Sequence, residues 1–155
     1  MKSRTKARGI ALQALYEIDM TGHPTGETIE ERLEAEPLES SLAAFVHQIV
    51  AGVLPISDKL DHLIAQHAPE WPLDQVAVVD RNILRIALWE FAVAGCTPVK
   101  VAINEAIELA KLYGSDSTPR FVNGVLGSLA PRQDEIQAEF GAVSKDQDTN
   151  IRPEE

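Results

Sequence analysis

The amino-acid sequence predicts an all-α protein. Apolar residues recur with the period of a helix along most of the chain, and no segment shows the alternation typical of a half-buried strand. Pro and Gly residues stand where helices begin and end. The 155 residues suffice for one domain, or for two small subdomains that share a core.

The N-terminal half contains three apolar-periodic segments. The pattern predicts a first helix over 3–20 and a short, acidic helix over 27–36. A longer apolar segment extends from 39 to 67 and contains Pro55. Because an interior Pro removes a backbone hydrogen bond and clashes with the preceding turn, we expect a kink or break between Gly52 and Pro55.

The C-terminal half begins after a connector at 68–72. Four helical segments follow it, over 73–94, 99–114, 121–130 and, after Pro131, 132–140. Asp80, Arg81 and Arg85 are expected to face solvent. The polar, charged tail from Gly141 is predicted to be disordered. The expected subdomains are therefore 1–70 and 71–140, with a tail over 141–155.

The segment Val99–Gly114 has the clearest pattern. Pro98 precedes it and Gly114 closes it, while apolar residues fall at the i, i+3, i+4 and i+7 spacing of one helix face. Three of these residues are Ala, which lets neighbouring helices approach. We therefore predict a central helix here, with the bare face of Gly124 and Gly127 packed closely against it.

Charge is distributed unevenly. The chain has a net charge of −10, which argues against a general nucleic-acid binder. Residues 1–8, however, hold four bases and no acid, whereas the remaining residues hold ten bases and all 24 acids. Cations at the start of a helix oppose its dipole, so helix stability alone does not explain them. A basic N-terminal arm that docks on an anion is the functional interpretation, and a solvated terminus is the alternative.

The sequence contains no pattern typical of an enzyme or a metal site. There is no Gly-rich phosphate loop and no nucleophile elbow, and His62 and His67 have the wrong spacing for two ligands on one helix face. We therefore expect a binding module with no cofactor and no metal. The single Cys96 excludes an internal disulfide and fits a reducing cytoplasm. No run approaches the roughly 18–20 apolar residues that span a bilayer, so a soluble protein is expected.

Four segments together resemble the transcription antitermination factor NusB family: ALQALY (11–16), VDRNILRIALWE (79–90), PVKVAINEAIELAKLYG (98–114) and FVNGVLG (121–127). The resemblance spans about residues 2–130. It implies two small helical bundles packed side by side, with about seven helices. It also implies a cytoplasmic, non-enzymatic partner of the ribosomal protein NusE. The pair would bind the boxA element of nascent RNA and join the antitermination complex on RNA polymerase with other Nus factors.

The resemblance also implies roles for individual residues. The family's basic N-terminus matches Lys2, Arg4, Lys6 and Arg8, and four single-strand phosphate contacts would give a salt slope of roughly −3. Arg120 and Asn123 could extend the RNA track, and Lys100 and Lys111 are further candidates for RNA contact. Tyr16, Asp74 and Asp80 match the face that binds the ribosomal protein.

Two other functions remain open at this level. The chain could be the detached helical module of a ribosomal RNA methyltransferase, although it lacks a Gly-rich cofactor loop. It could also be a scaffold that binds only protein and uses its basic arm for solubility. The oligomeric state is expected to be a monomer or a weak homodimer.

Overall fold

The computed structural model describes residues 2–68 and 75–141. Within these ranges the chain is helical and contains no strand, which confirms the all-α prediction, and the number of helices is close to that expected. The helices are α1 (Ser3–Thr21), α2 (Thr25–Ala35), α3 (Ser40–Val53), α4 (Ser57–Gln66), α5 (Val78–Leu88), α6 (Val99–Tyr113), α7 (Thr118–Leu129) and α8 (133–141).

Irregular turns occur where the helical hydrogen-bond pattern changes. Pro55 lies in a 3₁₀ turn, Leu54–Ile56, that joins α3 to α4, as the Pro predicts. α5 begins at Val78 because Ala77 has an extended backbone, with ψ 141°. It continues into a π-helical turn, Trp89–Val93, in which the Ala94 N–H donates to the Trp89 carbonyl at 2.8 Å. The sequence pattern did not predict this wider turn.

Helices α1 and α5, rather than α6 alone, have central positions. α1 contacts α2, α3, α5 and α6, and α5 contacts α1, α3, α4, α6 and α7, whereas α6 packs chiefly on α5 and α7. The apolar surface of α1 is wide. Its buried apolar residues, Ala7, Ile10, Ala11, Leu12, Ala14 and Leu15, cover more than one face. They belong to a single continuous core, and the division into subdomains at 70/71 stays a prediction.

The prediction that Gly124 and Gly127 pack against α6 is wrong. Both residues are exposed, and a Cβ atom added at either would meet nothing within 4 Å. Close helix approach occurs instead at Gly52, where an added Cβ would lie 2.2 Å from the Trp89 indole. The Gly pair therefore leaves the outer face of α7 bare, while Gly52 lets α3 and Trp89 pack together.

Arg85 is also not on the surface, contrary to expectation. It is 5% exposed, and its guanidinium donates to both oxygens of Asp61, at 2.7 and 2.6 Å, and to Asp19 at 2.8 Å. These contacts join α5 to α4 and to the end of α1. Burial lowers the pKa of Arg85, but the two carboxylates outweigh burial and the net shift is upward.

The helical run Ser40–Gln66 is long and apolar enough to cross a membrane by length and composition alone. One apolar face of the run lies in the core instead, while Ala44, Ala51 and Ala65 are exposed. The apolar side chains that are buried are Phe45, Val46, Ile49, Val50, Val53, Leu60, Leu63 and Ile64. This distribution is that of amphipathic helices that pack one face against the core.

Candidate functional site

The basic arm, residues 2–8, is ordered as the start of α1, and its four cations lie in different environments. Lys2 and Arg4 are exposed. Lys6 is partly exposed and forms a 3.6 Å ion pair with Glu36, an interaction worth little in solvent. Arg8 is only 3% exposed. The arm therefore offers three cations to solvent rather than four.

Arg8 is held by a buried carboxylate. Its Nε and Nη2 donate to Glu90 at distances of 2.9 and 2.7 Å, and Glu90 is 1% exposed. Its Nη1 lies 3.5 Å from a Glu105 oxygen. This position contradicts the prediction that Arg8 contacts RNA, because a buried guanidinium with two carboxylate partners cannot reach an RNA phosphate.

Two threonine hydroxyls donate to the carboxylates around Arg8. The Thr97 hydroxyl donates to Glu90 at 2.8 Å, and the Thr5 hydroxyl donates to Glu105 at 2.7 Å. Burial lowers the pKa of Arg8, but the hydrogen bonds and charge of Glu90 more than offset this, so Arg8 stays protonated. These contacts fasten the arm to the π-turn and to α6.

The sequence contains a pattern that indicates the burial of Arg8. Arg8 stands three, four and seven residues before Ala11, Leu12 and Leu15, which places it on a buried face of α1. Sequence reasoning missed its partner Glu90, which is 82 residues away. It also missed Phe45, whose ring lies beneath Arg4.

A groove of about 580 Å³ runs between the arm and α6. Lys2 and Lys111 both line it, so the structure brings these two predicted RNA-binding residues together. Lys111 is 3.7 Å from Glu108, in an exposed pair. The groove thus joins the arm to the C-terminal end of α6.

A second groove, of about 420 Å³, lies between the start of α5 and the start of α7. Arg120 and Asp80 line it together, so a predicted RNA residue and a predicted partner residue share one surface. The Thr118 hydroxyl donates to Asp80 at 3.0 Å. Burial raises the pKa of Asp80, and the Thr118 hydrogen bond opposes part of that rise. Asn123 and Lys100 are exposed and line neither groove.

Tyr16 lies at a recess of about 180 Å³ and is 40% exposed. Leu12, Val79 and Tyr113 form its apolar lining, and Tyr113 is itself 39% exposed. Val79 of this recess and Asp80 of the second groove are consecutive residues of α5. Asp74, the other predicted partner residue, falls outside the described residues.

The polar rim of this recess is ordered by Arg32. Its Nη atoms donate to Gln13 at 2.9 Å and to Glu17 at 3.0 Å. The hydrogen bond from His23, aided by Arg32, holds the pKa of Glu17 below its ordinary value. The recess therefore combines an apolar floor with an ionised carboxylate nearby, which suits a basic protein partner.

Comparisons with known proteins agree with this architecture. Residues 5–131 match the model of the NusB family. The transcription antitermination protein NusB of Bacillus subtilis (strain 168) is 48% identical over 129 residues, covering 83% of this chain and 95% of that protein. The T. maritima NusB structure has a TM-score of 0.73 and 31% identity, covering 88% of this chain and 91% of that one. A structure of antitermination factors NusB and NusE in complex with dsRNA has a TM-score of 0.75 and 25% identity, covering 83% of this chain and 96% of that one.

The helical fold and these similarities place the protein in the class of transcription antitermination proteins. The match over 5–131, with 48% identity across 83% of the chain, is specific to one family within that class. The chain belongs to the NusB family.

Proposed function

We propose that this protein binds boxA RNA together with the ribosomal protein NusE and so joins an antitermination complex on RNA polymerase. The observation that carries the proposal is the first turn of α1, where Lys2, Arg4 and Lys6 face solvent on a chain of net charge −10. The solved NusB–NusE–dsRNA complex of a structural neighbour supports both partners. The protein acts by binding rather than catalysis, in the bacterial cytoplasm.

The mechanism is electrostatic positioning followed by reading of unpaired bases. Lys2 and Lys111 hold phosphates along the first groove, and Arg4 and Lys6 hold phosphates elsewhere on the arm. The acidic remainder of the chain repels RNA. Arg120, Asn123 and Lys100 extend the RNA contact on the C-terminal half. NusE, as a cationic ribosomal protein, occupies the face that presents Tyr16 and Asp80 and relieves the repulsion. Asp74, outside the described residues, is a further proposed contact.

The salt dependence of RNA binding should reflect three arm cations rather than four. We expect the three arm cations to contribute roughly −2 to the slope of log affinity for a boxA oligonucleotide against log salt, near 0.7 per phosphate contact, on top of any contribution from Lys111, Lys100 and Arg120. Arg4→Ala or Lys2→Ala should reduce the slope by about 0.7 and weaken binding at low salt. Fluorescence anisotropy over a salt series measures both quantities, with unpaired and duplex RNA compared.

The matched control is Lys59→Ala, which removes an exposed cation on α4, away from the arm. It should leave the slope unchanged. A slope that Arg4→Ala and Lys2→Ala both leave unaltered would contradict the role of the arm. If RNA adds nothing to the complex with NusE, the scaffold that binds only protein is the better function.

Partner binding should depend on Tyr16. Tyr16→Ala removes an aromatic wall of the recess, and we expect affinity for NusE to fall about tenfold or more, as for a central aromatic anchor. Met20→Ala is the control, because Met20 is 56% exposed on the same helix but does not line the recess. Calorimetric titration with NusE measures the affinity of each variant. Equal losses of affinity in Tyr16→Ala and Met20→Ala would rule out the recess as the docking site.

A further inference from the structure

The ring of Phe45 lies directly beneath an arm cation. The Arg4 guanidinium carbon is 4.3 Å from the centroid of the Phe45 ring. Arg4 is exposed at the start of α1, whereas Phe45 is 4% exposed on α3. The contact therefore joins an exposed cation to a core side chain of another helix.

Phe45 is a rigid platform. Its helix neighbours Val46 and Ile49 are fully buried, so the ring is held by the core. Arg8 lies over the same ring, with its guanidinium carbon 5.3 Å from the centroid, and Arg8 is itself fixed by Glu90. The face of an aromatic ring carries partial negative charge and attracts a guanidinium. Arg4 is thus oriented by a surface that cannot move independently.

The backbone that carries Arg4 is fixed as well. The neighbouring Thr5 hydroxyl donates to Glu105 at 2.7 Å, which ties the first turn of α1 to α6. A free Arg side chain loses several rotamers when it binds, and this loss weakens binding. Contact with Phe45 removes part of that freedom before RNA arrives, while the exposed N–H groups of Arg4 remain able to donate to phosphate oxygens.

We propose that Phe45 is a positioning residue for RNA binding: it holds the Arg4 guanidinium in place for the phosphate backbone without touching RNA itself. The inference rests on the proposed function, because it requires that the arm contacts RNA. It adds a residue of the hydrophobic core to the determinants of RNA affinity.

The decisive variant is Phe45→Leu, which keeps a buried apolar side chain but removes the ring. We expect affinity for a boxA oligonucleotide to fall about threefold to fivefold, as expected for lost pre-organisation. The salt slope should stay at its wild-type value, since the same phosphates are contacted. In an Arg4→Ala background, Phe45→Leu should have no further effect on affinity. Anisotropy titrations of the wild type, Phe45→Leu, Arg4→Ala and the double variant complete this double-mutant cycle.

Ile49→Val is the matched control, because it also perturbs the buried face of α3, one turn further on. It should leave RNA affinity unchanged, and NusE affinity should be unchanged in every variant. The proposal is overturned if Phe45→Leu weakens binding equally in the Arg4→Ala background, or if it has no effect while Arg4→Ala does. If Arg4→Ala itself leaves RNA binding and its salt slope unaltered, the arm's RNA role fails first and the inference fails with it.

Discussion

Replacing Arg8 by Met is expected to destabilise the protein by about 3–5 kcal/mol, because the change leaves the buried Glu90 carboxylate without its counter-ion. Only the Thr97 hydroxyl would still donate to Glu90 among the contacts described above. For a chain of this size, such a loss lowers Tm by roughly 10 °C. Urea unfolding gives the free energy directly, from the midpoint and slope.

The control is the double variant Arg8→Met with Glu90→Leu. Removing both partners of a buried ion pair is often neutral or even stabilising, so most of the lost stability should return. The double variant, if folded, should also bind boxA RNA with the wild-type salt slope, since Arg8 is buried and makes no phosphate contact. A double variant as unstable as Arg8→Met would contradict the ion-pair explanation, and a reduced slope would restore Arg8 to the RNA-binding set.

Replacing Gly52 by Ala should destabilise the fold by about 1–3 kcal/mol. The added Cβ would lie 2.2 Å from two atoms of the Trp89 indole, and a bicyclic ring cannot yield as the end of a flexible side chain can. Trp89 opens the π-turn and precedes Glu90, so its displacement should also disturb the pair that fastens the arm. Thermal unfolding followed by circular dichroism measures the effect.

Gly124→Ala is the matched control, since Gly124 lies inside α7 with nothing near its added Cβ. There the substitution should stabilise the protein by about 0.5–1 kcal/mol, because Ala loses less backbone freedom than Gly in a helix. The two Gly→Ala changes therefore have opposite expected signs. Equal signs would show that helix propensity, and not contact with Trp89, decides the outcome at position 52.

The Arg8 and Gly52 results concern the same region of the molecule. Gly52 lets Trp89 pack on α3, and Glu90 next to Trp89 holds Arg8. Phe45, on the same helix as Gly52, supports Arg4. The exposed cations of the arm thus rest on a set of core contacts among α1, α3 and the π-turn. Variants that displace Trp89 or Phe45 should therefore change both stability and RNA affinity, whereas variants of Lys2 should change RNA affinity alone.

Helix positions could largely be predicted from the sequence. The bounds of α1, α2 and α6 agree with the periodic pattern to within about two residues, and Pro55 marked the junction of α3 and α4. The start of α5 was placed too early, and the π-turn was missed. Both errors concern backbone hydrogen bonds that depend on packing rather than on residue spacing.

The candidate site was predictable only in part. The sequence shows the clustering of cations in residues 1–8 and the family motifs, which indicated RNA and protein partners. The exposure of each cation could not be predicted from the sequence. Arg8 and Lys6 are both basic residues near the start of one helix, yet one is buried against Glu90 and the other faces solvent.

By itself, the sequence determined the all-α class, the placement of most helices and the basic arm, because these depend on residues a few positions apart. Only the tertiary structure decided which arm cations are free, which glycines are pressed against a neighbour and what lies beneath Arg4. Those outcomes depend on contacts between residues far apart in the chain, such as Arg8 with Glu90 and Arg4 with Phe45. Local periodicity carries no information about such pairs, since burial and pairing of charges arise only when helices pack.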